Sequence, residues 1–269
     1  DRSLALRPGL SVDVKIDLKS QGGELCRSRH DDRSRRPVTA ANPAADGGAP
    51  VAQKGPVAGH PEINWTMLLL GFAGMVVGQF MAILDIQIVA ASLPQIQAGV
   101  GASADEISWI QTAYLIPEVV MIPLSGFLSR LWGTQRLFLV SCAGFVLMSI
   151  ATGLSSSIDM MILFRAVQGF VGGAMIPTVF AVAFTAFPPD KRVTASVVMG
   201  LIVTLAPTVG PTLGGHLTEW LSWRWLFFIN VGPGLLVLFL VGRYGNFDKG
   251  DPSLAKGFDW WGLGLMAAF

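Results

Sequence analysis

Charge is scarce in this sequence. Only 14% of its 269 residues are Asp, Glu, Lys or Arg, while 52% are hydrophobic. Soluble domains carry about 25% charged residues. The deficit excludes an ordinary water-facing surface. A net charge of +1 offers no field to attract nucleic acid. Cysteine is nearly absent: Cys26 and Cys142, one in a polar stretch and one in an apolar run, form neither a disulfide framework nor a metal spacing. The three histidines, His30, His60 and His216, are scattered, so no histidine-based metal site is expected. Glycine is plentiful at 31 residues, which suits close helix packing in lipid.

The apolar residues are concentrated beyond residue 63. Residues 1–63 hold Arg27, Arg29, Arg33, Arg35 and Arg36 with Asp31 and Asp32, then an Ala/Pro/Gly stretch from Val38 to Pro61. That composition cannot bury a core, and it has no apolar run long enough for a signal peptide. It reads as a disordered cytoplasmic tail or an upstream extension; the alternative use is arginine contact with anionic lipid. From Trp65 onward, apolar runs cover 66–93, 107–129, 137–154, 158–187, 193–218 and 225–242, and a seventh begins near Phe258. Crossing a bilayer takes about 20 helical residues, and lipid leaves helix as the plausible backbone state. The first run would measure about 42 Å at about 1.5 Å per residue, so it should tilt or protrude. The organisation expected is a tail (1–63), a six-helix transmembrane bundle (64–244), and a cytoplasmic loop leading into a truncated seventh span (245–269). Asp1 is not Met and Phe269 falls inside an apolar run, so the sequence reads as a fragment.

Loop charges set the orientation. With the N-terminus inside, Arg130, Arg136, Lys191, Arg192, Arg243, Lys249 and Lys256 all fall in inside loops. Outside loops hold the single cation Arg224, beside Asp105, Glu106, Asp159 and Glu219. This is a positive-inside bias, and the alternation requires six crossings before Arg243.

Three charged residues lie deep in the runs: Asp85, Glu118 and Arg165. Each costs about 2.5–3.5 kcal/mol at a helix centre on insertion scales. One arginine neutralises one carboxylate; the other must reach water, find a donor or hold a proton. Burial disfavours a charged carboxyl, so Asp85 or Glu118 is a candidate to bind and release a proton. The alternative is an ion pair that only fixes packing. Arg165, Gln168, Gly169 and Gly172 recur at helical spacing and form one polar, small-residue face. Pro207, Gly210, Pro211, Gly214 and Thr218 form a second such face. Proline there removes a helix hydrogen bond, so the helix should bend, as a static kink or as a hinge.

These segments together resemble the major facilitator superfamily, in particular its 14-span drug:proton antiporters of the EmrB/QacA type, over residues 65–269. Leu84-Asp85-Ile86-Gln87-Ile88-Val89 through Leu93-Pro94 is similar to the first-span pattern L-D-x-T-I-V-x-x-A-L-P, with Gln87 in place of Thr. Gly126 to Arg136 resembles the cytoplasmic loop G-x-L-A-D-R-x-G-R-K/R; Gly126, Gly133 and Arg136 match, and Arg130 stands where the acid is usual. Leu163 to Ala174 resembles L-x-x-R-x-x-Q-G-x-G-x-A, whose arginine is implicated in proton coupling. Ala206-Pro207 through Gly210-Pro211 to Gly214-Gly215 resembles the span-five antiporter signature, which marks exporters. Trp223 to Val231, including Asn230, resembles the start of span six, with Gly232 where proline is usual. Asp259-Trp260-Trp261-Gly262 resembles the entry to a seventh span. Glu118 belongs to none of these patterns.

The resemblance implies an all-α polytopic membrane protein with the major facilitator fold, built from inverted three-helix repeats and rocking about a midplane site. It implies proton-coupled efflux across the bacterial inner membrane, no catalytic residues, no metal and no cofactor. The implied partners are protons, lipid, a small amphipathic or cationic substrate and, where one is used, an accessory membrane-fusion protein. Trp109, Tyr114, Met121 and Phe80 are candidate cavity-lining residues, with lipid or packing contact as their alternative. Two other functions stay in view. An uptake symporter on the same fold is opposed by the span-five signature. A membrane-embedded enzyme or receptor would need clustered catalytic groups or a ligand-binding domain, and neither is visible.

Overall fold

The computed structural model describes residues 64–248, 250, 251, 253 and 262. The expected tail, most of the stretch 252–269 and most of the seventh-span motif lie outside the described residues. Nine helices occur among the described residues: α1 (Trp65–Ala91), α2 (Leu93–Val100), α3 (Ala104–Trp132), α4 (Thr134–Gly153), α5 (Ile158–Gly172), α6 (Met175–Thr185), α7 (Pro189–Trp220), α8 (Trp225–Phe228) and α9 (Val231–Tyr244). They make six membrane-length spans, because α5 with α6 forms the fourth and α8 with α9 the sixth.

Local chemistry fixes the helix starts. Asn64 accepts from Met67 N–H at α1, and Ser157 accepts from Met160 N–H at α5. Ser103 and Glu106 form a reciprocal capping box at α3. Helix α4 begins after Gly133, whose φ of +87° suits glycine and which offers no capping side chain. Asp248 supplies that cap from far along the chain: its carboxylate accepts from Thr134 N–H at 2.7 Å and from the Thr134 hydroxyl at 2.8 Å.

Three details differ from the expected segments. The first run stops at Ala91 and turns at Ser92 into α2, because Pro94 has no N–H to continue the α1 ladder and suits the first turn of a new helix. The fourth run breaks at Gly173–Ala174 and the sixth at Ile229–Asn230. Pro207 and Pro211, by contrast, sit within α7 without ending it.

The most extensive packing joins α3 to α5, α1 to α7, α1 to α9 and α4 to α5. In spans, these are two–four, one–five, one–six and three–four. Exchanging spans one to three with four to six maps two–four onto five–one and one–six onto four–three. The packing therefore follows a three-helix repeat. Phe72 stacks edge-on against Phe187 at 4.8 Å at one end of the bundle. At the other end, Arg224 donates to the carbonyls of Gly153 and Ser155. The core is mainly apolar, with scattered buried polar side chains such as Gln79, Ser141 and Thr178, and its buried charges gather in a cluster between α1, α3, α4, α5 and the α8–α9 break.

Candidate functional site: a buried ion pair inside the bundle

Asp85 and Arg165 meet in the bundle interior, and both are fully buried. Arg165 Nη1 donates to Asp85 Oδ2 at 2.5 Å, in the single salt bridge among the described residues. The same nitrogen donates to Gln168 Oε1 at 3.0 Å, one helical turn along α5. The second Asp85 oxygen accepts from Asn230 Nδ2 at 2.7 Å. Asn230 also donates to Ser149 Oγ at 2.9 Å, and Ser149 donates to the Phe227 carbonyl at 2.8 Å. Four spans thus hold one carboxylate and one guanidinium. The guanidinium lies over the Tyr114 ring, 4.1 Å from its centroid, with Phe227 at 5.9 Å, so the rings stabilise the cation as well.

The break before α9 has a use here. Asn230 sits where helix α8 has ended and α9 has not begun, and its side chain reaches α1 and α4 at once. The sequence pattern included Asn230 but gave no reason to join it to Asp85. A polar residue between two apolar half-spans was the available signal.

Glu118 lies on α3, within electrostatic reach of both Arg165 and Asp85. It retains 8% exposure, whereas Asp85, Arg165, Tyr114 and Gln168 retain none. All three charged residues singled out by cost in the sequence thus come together. A buried arginine beside two carboxyls can pair fully with one and only partly with the other.

The small-residue faces serve close approach. A Cβ on Gly169 would fall 2.0 Å from the Tyr114 carbonyl, and one on Gly172 would fall 2.7 Å from the Phe145 ring. On α7, Gly210 packs on Gln87 and Gly214 on Ser92 and Ile88, which draws spans one and five together. Gly215 faces open space, and Pro211 and Gly215 lie along a cleft with Gln95, Thr212, His216 and Glu219. Of the loop motif, Gly126 is open, and Arg130 and Arg136 are exposed. The Arg130 carbonyl accepts from Asp251 N–H at 2.8 Å, so the residues after span six rest on this loop. The loop does not join the ion pair. Among the cavity candidates, Trp109 is exposed, Met121 packs in the core and Tyr114 touches the ion pair.

Comparison with known proteins agrees with this architecture. The family model described as Major Facilitator Superfamily matches residues 36–258. The chain is 44% identical over 198 residues to the Colistin resistance protein EmrB of Acinetobacter baumannii, covering 74% of this chain and 39% of that protein. It is 37% identical over 162 residues to the Multidrug export protein EmrB of Escherichia coli K12, covering 60% of this chain and 32% of that one. The chain thus spans well under half the length of these curated relatives. A crystal structure of the peptide transporter POT with alafosfalin superposes with a TM-score of 0.59 at 15% identity, over 74% of this chain and 44% of that chain. That likeness concerns the fold. Six apolar spans packed in a repeat order, and a family match over most of the sequence, lead to one assignment: the chain belongs to the Major Facilitator Superfamily and is a multi-pass membrane protein.

Proposed function

We propose that this chain forms the N-terminal bundle of a proton-coupled exporter working by alternating access in the bacterial inner membrane, with its N-terminus in the cytoplasm. The observation that carries the reading is the fully buried Asp85–Arg165 pair with Glu118 beside it. When Asp85 takes a proton it gives up its charge, and Arg165 is left to Gln168, the Tyr114 ring and Glu118. The inward and outward arrangements then differ in how well they hold the two protonation states, and that difference is what a gradient can drive. Arg165, Asn230 and Ser149 orient the carboxyl. The substrate is a small amphipathic or cationic compound. Relatives named for multidrug export and colistin resistance support export. The proton gradient supplies the energy, so no cofactor is required. An accessory membrane-fusion protein belongs to the proposal as a partner of the complete gene product.

The cations Arg130, Arg136, Lys191, Arg192 and Arg243 against the single Arg224 support the orientation. The test uses inverted membrane vesicles from a pump-deficient host expressing the complete protein. Acidifying the vesicle interior should drive the cationic dye ethidium inward, and nigericin should stop it. An uptake symporter would move its substrate the other way. Dye entry that ignores the gradient would remove the proton from the mechanism.

A further inference from the structure

Beside the ion pair lies a side chain whose hydroxyl neither the mechanism above nor any family pattern has used. Tyr114 is fully buried and lies one helical turn before Glu118 on α3. Its ring supports the Arg165 guanidinium at 4.1 Å. Its hydroxyl points onward along the bundle: a Cβ on Gly172 would stand 3.6 Å from Tyr114 Oη. Spans two and four run side by side here, since Gly169 packs on the Tyr114 backbone and Gly173 on the Glu118 backbone. Gly172 is one residue from the level of Glu118 and seven residues from Arg165. The phenol therefore reaches from the ion pair toward the depth of the Glu118 backbone.

The hydrogen-bonding capacity along this line is unspent. Tyr114 Oη, Arg165 Nε and Nη2, and Gln168 Nε2 have no protein partner, though all are buried. Buried polar groups are nearly always satisfied by protein or by ordered water, and such waters make about three hydrogen bonds each. Donors from Arg165 and Gln168 beside a hydroxyl that both donates and accepts are what a short water file needs. Glu118 keeps 8% exposure while the rest of the cluster is sealed, so it is the member nearest the edge of the buried space. The charged groups facing Tyr114 are Asp85 from α1, Glu118 from α3 and Arg165 from α5; α4 and the α8–α9 break bring the uncharged Ser149 and Asn230 to the cluster.

We propose that Tyr114 relays protons between Glu118 and the Asp85–Arg165 pair. A proton leaving Glu118 passes through water to Tyr114 Oη. The hydroxyl releases its own proton to water on the Asp85 side, and Asp85 accepts it. One O–H bond forms as one breaks at the phenol, which ends unchanged. One carboxyl loses a proton and the other gains it. This rests on the proton-coupled reading above and adds the route.

The test separates rate from equilibrium. In the purified complete protein, the infrared carboxylic-acid band lost in Asp85→Asn reports protonation of Asp85. Its appearance is followed after a stopped-flow drop in pH. Tyr114→Phe keeps the ring over Arg165 and removes only the hydroxyl. It should slow protonation of Asp85 about a hundredfold, the lower range for one positioned proton-transfer group, and leave the titration midpoint in place. Glu118→Gln should slow the same step without relying on the Tyr114 variant folding. A purely structural Tyr114 would shift the midpoint or the melting temperature and spare the rate. Wild-type rates in either variant overturn the relay. Absence of any Asp85 band in the wild type would instead overturn the proton-coupled reading itself.

Discussion

Both carboxylate oxygens of Asp85 are bonded, one to Arg165 and the other to Asn230, and the three residues come from spans one, four and six. Removing one partner of a buried pair leaves an uncompensated charge, which costs about 3–5 kcal/mol. Arg165→Ala in the complete protein should therefore lower thermal stability in detergent sharply and abolish gradient-driven transport. Asn230→Leu should spare the salt bridge yet leave Ser149 Oγ and Asp85 Oδ1 without their donor, a loss of about 1–3 kcal/mol; thermal melts of both variants check the order. The charged members of this site were legible in the sequence because charge in lipid is expensive. Asn230 was not, since its bond to Asp85 joins residues 145 positions apart and an asparagine carries no comparable penalty to draw notice. Tyr114 was visible only as one aromatic among many.

At the scale of the helices, glycine has two different roles that the spacing did not distinguish. Gly169 meets the Tyr114 carbonyl, whereas Gly215, four residues past the antiporter-motif Pro211, meets nothing. Gly169→Ala should force spans two and four apart and cost about 1–3 kcal/mol, as overpacking does. Gly215→Ala should be neutral or gain up to about 1 kcal/mol of helix propensity. Melting temperatures measured side by side decide whether the motif glycines are packing residues. The start of α4 gives a third case. Gly133 cannot cap the helix, so Asp248→Ala should cost about 1 kcal/mol, the usual worth of an N-cap. The span positions were legible from apolar length and loop composition. The breaks at Gly173–Ala174 and Ile229–Asn230 were not, because each lies inside a run whose apolar length reads as one continuous span. The Asp248 cap was hidden for another reason: it joins residues 114 positions apart.

For the whole molecule, the six spans and their alternating loops follow from hydropathy and charge, and the repeat order of packing follows from the way those spans pair. Orientation is checked directly by labelling. A membrane-impermeant maleimide applied to intact cells should label Ala104→Cys and leave Lys191→Cys unlabelled until the cells are opened; the reverse pattern would invert the bundle. What the sequence could not convey is how a carboxylate, an arginine and a second carboxylate share one buried space, because that depends on helix pairing and not on any single segment. That shared space is the reason proton coupling is proposed for this chain. The decisive measurement is the count of protons moved per ethidium by the complete protein in liposomes, wild type against Asp85→Asn. The variant should move no protons and dissipate dye gradients passively at most. If it carries protons with dye as the wild type does, the Asp85–Arg165 pair is a structural brace and proton coupling resides elsewhere.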